Sequence, residues 1–158
     1  LGLLPMREIY DGIDWPVVVL IGALIPVGDA FESTGTTGLI AQAILDSPLP
    51  ISPIAVLTLL MVVTMALSAA LNNAATAVIM GPVALTLAQR LDINPDPMLM
   101  GVAVAASCAF VTPIGHQNNA LVMGPGGYAF GDYWRLGLPL SMVVLIVDVP
   151  AILLFWPL

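Results

Sequence analysis

The chain has 158 residues, of which 59% are apolar and only 8% carry a charge, and its mean hydropathy is +1.04. Because soluble domains carry about 25% charged residues, this composition cannot cover a water-facing surface and predicts an all-α integral membrane protein. The formal net charge is −7, with three arginines and no lysine. That balance argues against nucleic acid as a partner, since phosphates are bound by Lys and Arg.

The first apolar segment, residues 14–33, is the first predicted transmembrane helix. Trp15 suits a membrane interface, Pro16 suits a first helical turn, and acidic residues close the segment. A crossing needs about 20 residues, so this segment spans the bilayer with both ends charged. The chain starts with Leu1 instead of methionine and shows no signal-peptide pattern. We therefore expect a missing N-terminal half of the same protein before it.

The next segment, residues 36–46, is too short to span a bilayer. Its apolar residues recur at i, i+1, i+4 and i+5, which gives a helix with one apolar face. Glycines precede it and prolines follow it. The pattern predicts a short interfacial helix that lies along the membrane surface.

A charge-free stretch follows, and Asn72-Asn73 divides it into two apolar arms. Either both arms cross the membrane and the Asn pair turns in water, or residues 51–89 form a re-entrant hairpin whose tip at 72–73 stops at mid-depth. An aqueous loop usually contains charges, Gly or Pro. This tip instead has small side chains that allow close helix packing, which favours the re-entrant hairpin.

Residues 97–131 contain no charged side chain and predict a broken transmembrane helix. Pro113 cannot donate a helical hydrogen bond and Gly115 permits unusual dihedrals, so residues 112–119 are expected to be an unwound loop. Residues 136–158 form the last predicted transmembrane helix. It contains Asp148, which is either a functional intramembrane acid or a residue of a peripheral helix.

Both helix breaks carry polar side chains at the depth of the membrane interior. Polar backbone survives there only where it is buried in protein or lines a cavity, and paired broken segments predict a site for a small ligand or ion. Unwound carbonyls suit Na⁺, and half-helix N-termini suit anions. His116 could relay protons or donate a hydrogen bond to an anion. The candidate ligands for a hard cation with an anion beside it are Asn72, Asn73, Thr76, Thr112, Asn118 and Asn119.

The order of these segments resembles the C-terminal half of the divalent anion:sodium symporter family, the sodium/dicarboxylate and sodium/sulfate carriers of the ion-transporter superfamily. The family's hairpin tip reads Ser-Asn-Thr followed by Ala-Thr-Ala. This chain has Asn72-Asn73-Ala74 followed by Ala75-Thr76-Ala77. In the family the Thr hydroxyl contacts a substrate carboxylate, and Ala74 lacks that hydroxyl.

The broken-helix loop carries the second part of the resemblance. The family pattern reads Pro-x-Ala-Thr-Pro-Pro-Asn-Ala. Here Pro113, Asn119 and Ala120 match, Gly115 replaces Ala, and His116-Gln117-Asn118 replaces Thr-Pro-Pro. This variant is similar to sulfate-type permeases.

The resemblance implies an elevator-type secondary transporter built from two inverted repeats, of which this chain is the C-terminal one, and a homodimer in a cytoplasmic (inner) membrane. It implies sodium-coupled symport of a divalent anion such as sulfate or a C4-dicarboxylate, with no cofactor besides the coupling ion. The implied sodium ligands are Asn72, Asn73, Thr112 and Gly115. The implied substrate-binding residues are Asn73, Ala74, His116, Gln117, Asn118 and Asn119.

Two other functions remain open on the sequence. A cation/proton or arsenite-type antiporter of the same superfamily would depend on Asp148 or His116 as a titrating group. A non-transporting membrane assembly subunit would use the intramembrane Asn side chains only to join helices. An enzyme is not expected, because no nucleophile–base pair is visible.

Overall fold

The computed structural model describes residues 15–46 and 52–158. Residue 14 of the predicted first span and residue 51 of the predicted hairpin lie outside the described residues. Within the described ranges the chain is helical throughout and contains no β-strand. The elements are α1 (Trp15–Ser33), α2 (Thr36–Leu45), α3 (Pro53–Ala70), α4 (Asn73–Leu91), α5 (Pro95–Ala106), α6 (Gln117–Met123), a 3-10 turn (Phe130–Asp132) and α7 (Tyr133–Phe155).

Three of the described helical segments are long and apolar enough to cross a membrane. They are α3, α4 and the run Phe130–Phe155 that ends in α7, with mean hydropathies of 2.2, 1.3 and 2.4. Eighteen residues of α-helix rise about 27 Å, close to the roughly 30 Å of a hydrocarbon core. The chain is therefore a helical integral membrane protein. Because each hairpin arm is long enough to cross, helix length does not decide between a re-entrant hairpin and two crossings.

Helix α5 lies at the centre of the packing. Both α3 and α4 pack extensively on it, α1 and α2 pack on α4, and α7 packs on α3 and α5. Gly101 of α5 lets α3 approach closely, since a Cβ there would lie 2.7 Å from Leu57 Cδ1 and 3.2 Å from Met61 Cγ. The hairpin is thus wrapped against the first part of the broken helix, and both helix breaks fall at the same end of this packing.

The hairpin turns within two residues because Asn72 starts a new helix at once. Leu71 and Asn72 are extended, and the Asn72 side-chain oxygen accepts a hydrogen bond from the backbone N–H of Ala75 at 2.7 Å. Asn is among the strongest N-cap residues, because its side chain satisfies a backbone N–H that the first helical turn leaves free. The predicted tip therefore contains the N-cap and first residue of α4.

The unwound segment differs from the predicted loop at both ends. Helix α5 stops at Ala106, and residues 107–116 are non-helical, whereas the sequence predicted unwinding over 112–119. The early stop coincides with a tertiary contact, because the Ala106 carbonyl accepts a hydrogen bond from Ser68 of α3. The early restart follows from capping, since the His116 imidazole Nδ1 accepts from the Asn118 N–H at 3.2 Å and residues 117–119 enter α6.

Helix α7 begins at Tyr133, three residues before the predicted boundary, and ends at Phe155. Its buried side is a stripe containing Gly137, Ser141, Val149 and Ile152. A Cβ on Gly137 would lie 2.4 Å from the Phe110 carbonyl oxygen, so α7 touches the unwound segment directly. Its outward face is apolar and exposed, with Leu136 75% and Ile146 72% exposed, which suits a membrane environment.

Candidate ion and substrate site

The two helix breaks meet at Ser68, near the end of α3. Ser68 is fully buried, and its hydroxyl oxygen lies 2.5 Å from the Ala106 carbonyl oxygen and 3.2 Å from Asn73 Oδ1. Three separate segments converge there, namely the last turn of α3, the first turn of α4 and the last carbonyl of α5. The cluster is made of neutral oxygen atoms, which are the ligands that hard cations prefer.

The unwound segment closes over the end of α3. The Thr112 hydroxyl donates to the Ala69 carbonyl, and the Gly115 N–H donates to Thr112 Oγ1 at 3.3 Å. At Gly115 an added Cβ would lie 2.7 Å from the Ser68 carbonyl oxygen and 2.6 Å from the Ala109 Cβ. Only glycine fits this approach of two backbones. The fold therefore joins the predicted residues Asn73, Thr112 and Gly115 through Ser68 and Ala69.

Asn119 holds the far end of the unwound segment. Its amide nitrogen donates to the Ala109 carbonyl at 2.8 Å and to the Thr112 carbonyl at 3.2 Å. Its own backbone carbonyl accepts from the Tyr133 hydroxyl at 2.7 Å. The Asn119 side chain is thus occupied with shaping the loop, and Tyr133 ties that loop to the start of α7.

The other residues that the family resemblance implies lie at the N-termini of α4 and α6. Asn72 is exposed and caps α4, whereas Ala74 in the first turn of that helix is partly buried. His116 is partly buried and caps α6, and Asn118 is exposed. Gln117 is the first residue of α6, and its side chain lies outside the described side chains. Asn72 and Ala74 adjoin Asn73 in the chain, and His116 and Asn118 follow Gly115 closely. No hydrogen bond among the described side chains links these four residues to the Ser68 cluster.

No hydrogen bond or ion pair joins an arginine of the described residues to this cluster. Arg90, at the opposite end of α4 from Asn73, donates to Gln42 Oε1 at 2.5 Å, and Arg135 lies 3.9 Å from Asp132. The described residues contain no group of three or more His, Cys, Asp or Glu side chains that could hold a metal ion.

The sequence analysis missed two residues of this arrangement, Ser68 and Tyr133. Ser68 follows Thr64 by four residues on the buried side of a mainly apolar helix, and this spacing was the available signal. The contact of its hydroxyl with Ala106 spans 38 residues, which no local pattern reveals. Tyr133 stands between the predicted broken helix and the predicted last span, and its contact with Asn119, 14 residues earlier, has no sequence signature.

Comparison with known families decides what kind of membrane protein this is. The family model described as "Sodium:sulfate symporter transmembrane region" matches residues 9–158, nearly the whole chain. The chain belongs to the sodium:sulfate symporter family. The members of this family are transporters and not enzymes, as the sequence analysis expected. The recognised resemblance to sodium/sulfate and sodium/dicarboxylate carriers is confirmed.

Individual relatives agree with this assignment. The chain is 43% identical over 143 residues to the uncharacterized transporter sll0640 of Synechocystis sp., covering 90% of the chain and 23% of the relative. It is 37% identical over 148 residues to the uncharacterized transporter YfbS of Escherichia coli, covering 94% and 24%. It is 29% identical over 148 residues to the sodium-dependent high-affinity dicarboxylate transporter 3 of Caenorhabditis elegans, covering 93% and 26%. The symporter-family chain thus spans about a quarter of the length of the relatives it matches.

Proposed function

We propose that the full-length protein is a sodium-coupled symporter that moves a divalent anion, sulfate or a C4-dicarboxylate, across the cytoplasmic membrane. The family description names sodium and sulfate, and the Caenorhabditis elegans relative is named as a sodium-dependent dicarboxylate transporter. Because this chain spans about a quarter of its relatives, the remaining part of the anion pocket would come from elsewhere in the same protein.

The observation that carries the proposal is the contact of Ser68 with two oxygen atoms. A hydroxyl has one proton, and the 2.5 Å contact to the Ala106 carbonyl uses it. The 3.2 Å contact to Asn73 Oδ1 can then be only a weaker share of the same proton, so three oxygen atoms lie together with one proton among them. A cation bound to these atoms would stabilise them. It would occupy a sodium site of neutral oxygens, completed by Thr112 and the backbone of Gly115, with Asn72 at its rim.

The anion would sit beside this cation. The first turn of α4 leaves the N–H groups of Asn73 and Ala74 without partners inside that helix, and the positive end of the helix dipole favours an anion there. His116, Gln117 and Asn118 would line the other side of the pocket, and Asn119, whose amide nitrogen donates to the Ala109 and Thr112 carbonyls, would hold the loop that carries them. Ala74 has no hydroxyl to donate to a carboxylate, and this difference favours sulfate over a dicarboxylate.

The wider architecture follows the same proposal. Residues 51–89 would form a re-entrant hairpin and residues 97–131 a broken helix, in one of two inverted repeats of an elevator-type transporter. Segments 14–33 and 136–158 would be crossings and 36–46 an interfacial helix. Two copies of the full-length protein would form a homodimer.

The test uses the full-length protein in detergent. Thermal stability is measured in NaCl and in choline chloride at equal ionic strength, with and without sulfate or succinate. We expect a sodium-specific rise in melting temperature that increases further with one of the anions, because ligands that bind the folded state stabilise it. Asn73→Ala should abolish the response to sodium.

A matched variant controls for lost stability. Asn94 is also an N-cap asparagine, since its Oδ1 accepts from the Asp96 N–H at 3.1 Å, but it caps the N-terminus of α5, at the opposite end of that helix from Ala106. Asn94→Ala should lower stability by about 1 kcal/mol and keep the sodium response. A protein that ignores sodium but responds to pH would contradict the proposal and favour the antiporter. No response to any ion would favour an assembly subunit.

A further inference from the structure

Thr76, in the second turn of α4, carries a buried hydroxyl without a partner. The residue is fully buried, and its Oγ1 makes no hydrogen bond among the described residues. The six other buried residues of α4 are all apolar: Ile79, Met80, Val83, Ala84, Leu87 and Ala88. A buried polar group without a hydrogen bond is costly, so such a group calls for a specific explanation.

Other helical threonines of this chain satisfy their hydroxyls within their own helix. Thr58, Thr64 and Thr86 each donate to the carbonyl four residues earlier, at 2.8, 2.7 and 2.9 Å. The same acceptor exists for Thr76, because the Asn72 carbonyl already accepts the Thr76 backbone N–H at 3.0 Å. The Thr76 hydroxyl does not take that bond. Its orphan state is therefore not forced by its position in the helix.

Among the described residues, one more buried hydroxyl lacks a partner, and its case is different. Thr37 is the second residue of α2, so the carbonyl four residues before it belongs to the end of α1. It has no carbonyl of its own helix to bond. Thr37 thus has a local explanation that Thr76 lacks, and it serves as a comparison at a site distant from the hairpin tip.

The position of Thr76 in α4 is close to the oxygen cluster. Thr76 follows Asn73 by three residues, so both lie on one face of α4, about 5 to 6 Å apart at Cβ. Helix α4 packs on α5, whose last carbonyl, at Ala106, contacts Ser68. Thr76 therefore lies one helical turn further along α4 than Asn73, which forms the oxygen cluster with Ser68.

We propose that the Thr76 hydroxyl supplies a further oxygen to the cation held by Ser68 and Asn73, an inference that rests on the proposed sodium-coupled function. A buried hydroxyl that makes no hydrogen bond and lies one helical turn from Asn73 gains a partner when the cation binds. The site would then bind sodium with side-chain oxygens from the first and the second turn of α4. Binding would recover the free energy that is lost when the hydroxyl is buried without a partner.

The test is a sodium titration of the full-length protein, read as the NaCl concentration that gives half of the maximal rise in melting temperature, with choline chloride keeping ionic strength constant. Thr76→Val keeps the shape of the side chain and removes the hydroxyl. We expect about a tenfold higher sodium requirement, because a hydrogen-bonding or ligand oxygen facing a charge is lost. Stability without sodium should not fall, since no protein hydrogen bond is lost. Thr76→Ser should titrate close to the wild type.

Thr37→Val is the matched control, with the same change at the other orphan hydroxyl, and it should leave the sodium requirement unchanged. Thr76→Ala provides a second hydroxyl-free variant if Thr76→Val does not fold. A wild-type sodium requirement in a folded Thr76 variant without the hydroxyl overturns the inference, while the sodium site itself stands if Asn73→Ala still abolishes the response. A wild-type protein without any sodium response overturns the inference and the proposed function together.

Discussion

At the scale of single residues, Ser68 is the point where three parts of the chain are connected. Its hydroxyl joins the end of α3 to the last carbonyl of α5 and lies beside the first residue of α4. Asn73, Thr112 and Gly115 were accessible from the sequence because they stand at visible breaks in apolar runs. Ser68 was not, because a serine within an apolar helix has the same local pattern whether it bonds its own helix or a distant carbonyl.

We expect Ser68→Ala to weaken sodium binding about tenfold and to lower the free energy of unfolding by about 1 to 3 kcal/mol. The substitution removes an oxygen from the proposed site and leaves the Ala106 carbonyl without its donor. The measurement is a sodium titration of melting temperature for the full-length protein, together with denaturant unfolding.

Ser141→Ala is the control for this prediction. Ser141 is also buried, but its hydroxyl donates to the Gly137 carbonyl of its own helix at 2.8 Å. The control should alter stability only and leave the sodium titration at its wild-type midpoint. Equal sodium titrations for both variants would remove Ser68 from the proposed site.

At the scale of helices, capping side chains decide where the two broken segments restart. Asn72 and His116 each cap the helix that follows them. Asn was recognisable as a cap, and α4 begins close to its predicted position. His is a less typical cap, so the sequence analysis extended the loop to residue 119, and the structure starts α6 at Gln117.

His116 has two proposed roles, capping α6 and contacting the anion, and a pair of variants separates them. His116→Ala should remove both, exposing the first turn of α6 at a cost of about 0.5 to 2 kcal/mol of local stability. His116→Asn should restore the cap, because Asn is a strong N-cap residue, but not any contact that depends on the imidazole.

Hydrogen exchange of the α6 amides measures capping, and anion-dependent stabilisation of the full-length protein measures binding. We expect faster exchange in His116→Ala only, and weaker anion stabilisation in both variants. If His116→Asn keeps the full anion response, the imidazole does not contact the substrate and His116 is a cap alone.

At the scale of the whole molecule, the depth of the hairpin tip is the feature that the proposed mechanism requires. The 18- and 19-residue arms are each long enough to cross a bilayer, so their length allows both geometries. A re-entrant hairpin places Leu71 near the bilayer midplane, whereas two full crossings place it at the level of the headgroups.

A spin label at Leu71→Cys in the full-length protein, with the other cysteines replaced, reports this depth through its accessibility to oxygen and to a water-soluble relaxation agent. Leu71 is exposed at the turn, so a label there disturbs little packing. We expect mid-bilayer depth at Leu71. A label at Asp92→Cys, just after the end of α4, is the control and should report headgroup depth. Headgroup depth at both positions would show that the hairpin crosses the membrane completely.

The sequence by itself determined that this is a helical membrane protein of the sodium:sulfate symporter family with two polar helix breaks. Hydropathy, Pro and Gly positions and the tip and loop motifs are local properties, and local properties are readable in one dimension. Only the tertiary structure decided that the two breaks meet, that α5 ends at Ala106, and that Ser68 and Tyr133 hold the site together. Those outcomes rest on contacts between residues 38 and 14 positions apart, which arise from helix packing and not from neighbouring residues.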